Sequence, residues 1–79
     1  MDTGGGPLGI LAGNGRLPLE VAEVVSASGR PVHLVGIVGE AEPAIQRHPH
    51  TWVGLGQVGA MLRAFRAAGC RDLVILGGV

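Results

Sequence analysis

The chain has 79 residues, 47% of them hydrophobic, with a mean hydropathy of +0.42, and its six basic and six acidic residues cancel. That length allows one small domain, near the lower limit at which a single core supports a fold, and its apolar content is that of a piece whose faces are covered by more protein. The charge balance leaves no basic stripe, and one Trp and one Phe leave little to stack on bases, which sets nucleic-acid binding aside.

The first segment, "MDTGGGP" (1–7), is small and Gly-rich and is expected to be a flexible leader. It has none of the basic residues of a secretory signal. "LGILA" (8–12) has the length and apolarity of a strand buried on both faces. The turn "GNGR" follows, and "LPLEVAEVVSASG" is expected to be a helix with Pro18 in its first turn and Gly29 as its C-terminal cap. Val21, Ala22 and Val25 share one face of it, and Glu20 and Glu23 another.

"RPVHLVGIVG" (30–39) is rich in Val and Ile and predicts a second buried strand. "EAEPAIQRHPH" (40–50) carries two prolines and reads as a loop with room for one helical turn. "TWVGL" (51–55) predicts a third strand. In "GQVGAMLRAFRAAG", Val58, Met61, Leu62 and Phe65 follow the i, i+3, i+4, i+7 pattern of a buried helical stripe, ended by Gly69. "RDLVILGGV" (71–79) is a fourth strand running into a glycine pair. This alternation predicts an α/β fold, the front of a Rossmann-like, mostly parallel sheet with flanking helices, in which residues 8–79 form the first part of a domain. A sheet left without cover on one face predicts a poorly folded chain in isolation.

In such sheets ligands bind outside the carboxyl ends of the strands, where strand order reverses. Gly13, Asn14, Gly15 and Arg16 lie there, ahead of a helix N-terminus whose unpaired N–H groups and dipole favour an anion. Gly77 and Gly78 end the fourth strand, which in the usual order lies beside the first and faces Gly13 across the crevice. A side chain at Gly13 would on this reading crowd the ligand and leave the fold intact. The competing reading is a plain strand-to-helix turn.

A dinucleotide fingerprint is incomplete, because Pro18 stands where the third glycine belongs and nothing acidic follows strand two before Glu40 in the loop. A nicotinamide-dependent oxidoreductase is the alternative this weakens. A non-catalytic scaffold or dimerisation domain is the other alternative. "GLGQVG" (54–59) matches the fingerprint in letters only, since Gly59 falls inside the helix and Asp72 begins its strand. "HPH" (His48, His50) lacks further metal ligands, His33 reads as a partnered strand residue, and Cys70 as a buried structural thiol. The single cysteine excludes an internal disulfide and fits a reducing compartment. The longest apolar runs, about five residues, fall short of the ~20 a membrane helix needs. Glu20 and Glu23 lie on a solvated face and Glu40 and Glu42 in a loop, so no carboxylate pair is set for acid–base work.

Taken in order, "AGNGRLP", "GRPV", "GEAEP", "WVGLGQVG" and the closing "GGV" make the chain resemble the N-terminal part of the LpxI-type UDP-2,3-diacylglucosamine pyrophosphatases of bacterial lipid A synthesis. The resemblance covers nearly the whole chain. It implies a Rossmann-like N-terminal domain and a separate C-terminal domain, absent from this chain, with the UDP-linked glycolipid between them. It implies hydrolysis by water attack on the α-phosphorus, giving UMP and 2,3-diacylglucosamine 1-phosphate. A divalent metal (Mg2+ or Mn2+) and the essential carboxylate are implied outside this segment, so no catalytic residue is expected here. The implied location is cytoplasmic, with peripheral association at the inner membrane and a homodimer as further expectations. With the resemblance, the opening turn is read as a ligand turn, and Gly13, Asn14, Gly15, Arg16, Gly77 and Gly78 as substrate-binding.

Overall fold

The computed structural model describes residues 6–78. In chain order these form β1 (Leu8–Ala12), α1 (Leu17–Ala27), β2 (Val32–Ile37), a 3-10 helix (Pro43–Arg47), β3 (His50–Val53), α2 (Val58–Ala67) and β4 (Asp72–Leu76). Most of the expected leader, residues 1–5, and the final Val79 lie outside the described residues. Gly6 is tied in, its carbonyl accepting from Arg30 Nε at 3.2 Å.

The elements follow the expected alternation with trimmed ends. β2 stops at Ile37 because its carbonyl turns to accept from the amides of both Glu40 and Ala41. The loop after it holds a single 3-10 helix whose Ile45 is fully buried. β3 stops at Val53 because the next amide, that of Gly54, donates to Gln57 Oε1 at 2.5 Å and closes a turn into α2. Both helices end where the glycines predicted, and after α2 the Cys70 amide donates back to the Phe65 carbonyl.

All four strands are parallel, in the order β3-β2-β1-β4. β1 pairs in register with β2 from Leu8↔Val32 to Ala12↔Gly36, and with β4 from Leu8↔Asp72 to Ala12↔Leu76. The chain therefore winds outward from β1 to β3, then crosses back to place β4 on the other side of β1. The reversal point lies between the carboxyl ends of β1 and β4, where an open α/β sheet binds its ligands.

Alternation along the strands divides the core in two. Ile10, Ala12, Val32 and Leu34 point to the α1 side and meet Ala22 and Ile45. Val35 and Val53 point the other way and meet Phe65. The α2 stripe is less buried than its spacing predicts. Phe65 is in the core and Met61 packs beside it, but Val58 is 58% exposed and Leu62 50%. The helix lies over β2 and β3, so the half of its stripe turned away from them has no sheet to cover. Two exposed ion pairs, Arg30–Asp72 at 2.6 Å and Arg47–Glu23 at 3.1 Å, tie elements at the surface, and each contributes about 0–1 kcal/mol.

Candidate functional site

The carboxyl edge of the sheet brings the two glycine clusters together, as the strand order requires. They meet as a closed joint. The Gly13 amide donates to the Leu76 carbonyl at 2.9 Å, the Asn14 amide to the Gly78 carbonyl at 2.6 Å, and the Gly78 amide to the Asn14 carbonyl at 3.1 Å. Asn14 and Gly78 thus form an antiparallel bridge at the end of two parallel strands. A Cβ on Gly13 would strike the Gly78 carbonyl oxygen, and one on Gly77 would strike the Asn14 carbonyl oxygen. Gly77 also has φ +88, a conformation open to glycine and strained for other residues.

This geometry corrects the picture of an open crevice between Gly13 and Gly78. Their backbones are in contact, so a side chain at Gly13 would disturb the β1–β4 joint and not merely crowd a ligand. It also separates the donors that are spent from those that are free. The amides of Gly13, Asn14 and Gly78 are committed to the joint. Those of Gly15, Arg16 and Leu17 have no hydrogen-bond partner among the described residues. They sit at the entry to α1, whose N-cap Arg16 makes no side-chain cap and whose Pro18 has no N–H to offer. Gly15, Arg16 and Leu17 are exposed residues, and nothing lies within 4 Å of where a Cβ on Gly15 would be. The Arg16 side chain is exposed beside them.

The residue that sequence reasoning set aside is Glu40. It follows β2 by three positions, and its half-buried side chain reaches the β1–α1 turn, where Asn14 Nδ2 donates to its Oε1 at 3.2 Å. An acid soon after strand two was the available signal. In the sequence it reads as a loop acid, because which turn its side chain reaches is set only when the loop folds back onto the Ile37 carbonyl.

The remaining candidates lie away from the β1–β4 joint. Asp72 begins β4 at the opposite edge and "GLGQVG" leads into α2, so the fingerprint in letters has no fingerprint geometry. His33 Nε2 and Thr51 Oγ1 share a hydrogen bond of 2.9 Å. Burial pushes the His33 imidazole below its ordinary 6.5, and His50 adds in the same direction. His50 Nδ1 bonds the His48 carbonyl at 2.8 Å and its ring meets Trp52 edge-on, while His48 Nε2 is buried without a partner among the described residues. Cys70 is a half-buried free thiol, pushed up by burial, with Arg30 acting weakly against that. Among the described residues no three His, Cys, Asp or Glu side chains converge.

A groove of about 440 Å³ opens at the amino edge of the sheet, lined by Pro7, Pro31, Pro49 and Ala64 with His33 and Thr51 as its polar groups. It offers volume without a charged group, and it lies at the end of the strands away from the free amides.

The LpxI N-terminal domain family matches residues 7–79. This chain belongs to that family. A relative, the UDP-2,3-diacylglucosamine pyrophosphatase LpxI of Caulobacter vibrioides, is 39% identical over 71 residues, which is 90% of this chain and 25% of the relative. The chain therefore spans about a quarter of the length of the curated relative it matches. The matched region of the LpxI N-terminal domain takes in the whole sheet and both glycine clusters.

Proposed function

We propose that this chain is the substrate-binding N-terminal portion of a UDP-2,3-diacylglucosamine pyrophosphatase in lipid A biosynthesis. The whole enzyme hydrolyses the pyrophosphate by water attack on the α-phosphorus, releasing UMP and 2,3-diacylglucosamine 1-phosphate. The observation that carries the binding role is the row of amides at Gly15, Arg16 and Leu17 that have no partner among the described residues, in exposed residues at the reversal point of a sheet from this family.

In this reading the amides and the α1 dipole hold a phosphate oxygen, and the Arg16 guanidinium neutralises charge beside it. Asn14, pinned by the Gly78 bridge, fixes the turn, and Gly13, Gly77 and Gly78 keep it at the sheet edge. The bond-breaking carboxylate and the Mg2+ or Mn2+ site belong to the protein outside this segment. The enzyme works in the cytoplasm, peripherally at the inner membrane, and the homodimer remains part of the proposal. No helix among the described residues is long and apolar enough to cross a membrane.

The test is hydrolysis of UDP-2,3-diacylglucosamine by the full-length protein, followed by UMP release. Arg16→Ala is expected to raise KM about 10-fold with kcat nearly unchanged, the signature of lost binding shared by ground and transition states. Absence of UMP release from folded, metal-supplied wild-type protein would overturn the reading.

A further inference from the structure

We propose that Glu40 is the hydroxyl acceptor of this site, taking hydrogen bonds from a sugar of the bound ligand while Asn14 holds it in place. The inference rests on the nucleotide-sugar reading above and names which part of the ligand the β2 side of the site recognises.

The argument begins with what Glu40 is bonded to. Its Oε1 accepts from Asn14 Nδ2 across 26 residues of sequence, linking the loop after β2 to the turn after β1. A carboxylate has about four acceptor positions, and no second donor to this one is found among the described residues. Neither ion pair at the surface involves it, since Arg30 pairs with Asp72 and Arg47 with Glu23. Among the described residues this half-buried carboxylate therefore stands at the ligand edge with one neutral partner, no counter-ion and acceptor capacity to spare.

Its place follows from the sheet. β2 lies directly beside β1, so a loop leaving β2 flanks the turn leaving β1. The Ile37 carbonyl accepts from the Glu40 and Ala41 amides, which folds that loop back tightly and aims Glu40 at Asn14. Charge then divides the site. A phosphate is repelled from the Glu40 side and directed toward the free amides of Gly15, Arg16 and Leu17. A group carrying O–H donors and no charge is favoured beside Glu40. In a UDP-linked sugar that description fits the ribose and the hexose hydroxyls, and it rejects a phosphorylated sugar.

The experiment is calorimetric titration of full-length protein, wild type and Glu40→Gln, with UDP, 2′,3′-dideoxyuridine diphosphate and UDP-N-acetylglucosamine, whose acylated amine carries no charge. Gln keeps an oxygen for Asn14 and so preserves the loop, which an unchanged Tm verifies. Expected is a loss of about 10-fold or more for UDP in Glu40→Gln with no loss for the dideoxy form, which assigns the ribose. A loss confined to UDP-N-acetylglucosamine assigns the hexose and equally supports the proposal. Equal weakening of all three ligands would make Glu40 a loop brace and overturn it. Tighter UDP binding by Glu40→Gln would show the carboxylate competing with phosphate and also overturn it. Failure of wild-type protein to bind any of the three would instead remove the nucleotide-sugar reading, and this inference with it.

Discussion

On the α1 side of the sheet Ile10, Ala12, Ala22, Leu34 and Ile45 are fully buried, whereas on the α2 side Ile75 keeps 77% of its surface exposed and Val58 and Leu62 remain half-open. Both faces are built from the same kind of residue. The difference is coverage. α1 and the 3-10 helix together close over β1 and β2, while α2 alone covers the other face and lies toward β2 and β3. β4 is left with Leu73 and Ile75 turned to the open side. Apolar periodicity thus states that a face should be buried, but not by what.

The largest expected effect tests the closed face. Leu34→Ala should cost about 2–5 kcal/mol in denaturant unfolding, because fully packed neighbours relax little into the space left behind. A cost near that of a surface change would mean the α1 side is looser than its burial indicates. Next is the joint at the ligand edge. Gly13→Ala drives a methyl into the Gly78 carbonyl and should cost about 1–3 kcal/mol as an overpacked contact. An unaltered unfolding midpoint would mean that β1 and β4 part there easily.

On the open face Ile75→Ala should cost no more than about 0.5 kcal/mol, as exposed substitutions do. A cost several times larger in the full-length protein would sharpen the comparison, since it would show that face covered there by other parts of the molecule. The smallest effect is one of pH. Burial and His50 hold the folded His33 imidazole below its ordinary 6.5, so the unfolded chain binds a proton first as pH falls. Its contribution is present above 6.5 and is lost as pH drops from there through the lowered folded value. His33→Gln should flatten that part of the stability–pH curve, and an identical curve for the variant would remove His33 as its source.

Much of the candidate edge was legible in the residues. Glycines after strand-length apolar runs placed the turns at Gly13 to Arg16 and at Gly77 and Gly78, and the usual strand order brought the two clusters together. What escaped was the difference between near and bonded. Gly13 and Asn14 read as donors to a ligand, and their amides are spent on the carbonyls of Leu76 and Gly78. Glu40 looked like a loop acid, and it reaches Asn14. The Val58–Leu62 half of the α2 stripe looked like core for the same reason in reverse, since periodicity reports a helix face and not the width of the sheet beneath it.

Sequence by itself determined the kind and order of the elements, the glycine ends of both helices and a mostly parallel sheet, because these follow from rules of periodicity, propensity, capping and element alternation. Only the tertiary structure decided which amides stay free, which face stays open and which acid meets the turn. Those outcomes depend on pairings such as Asn14 with Gly78 and Asn14 with Glu40, which exist only once β2 and β4 have settled on either side of β1.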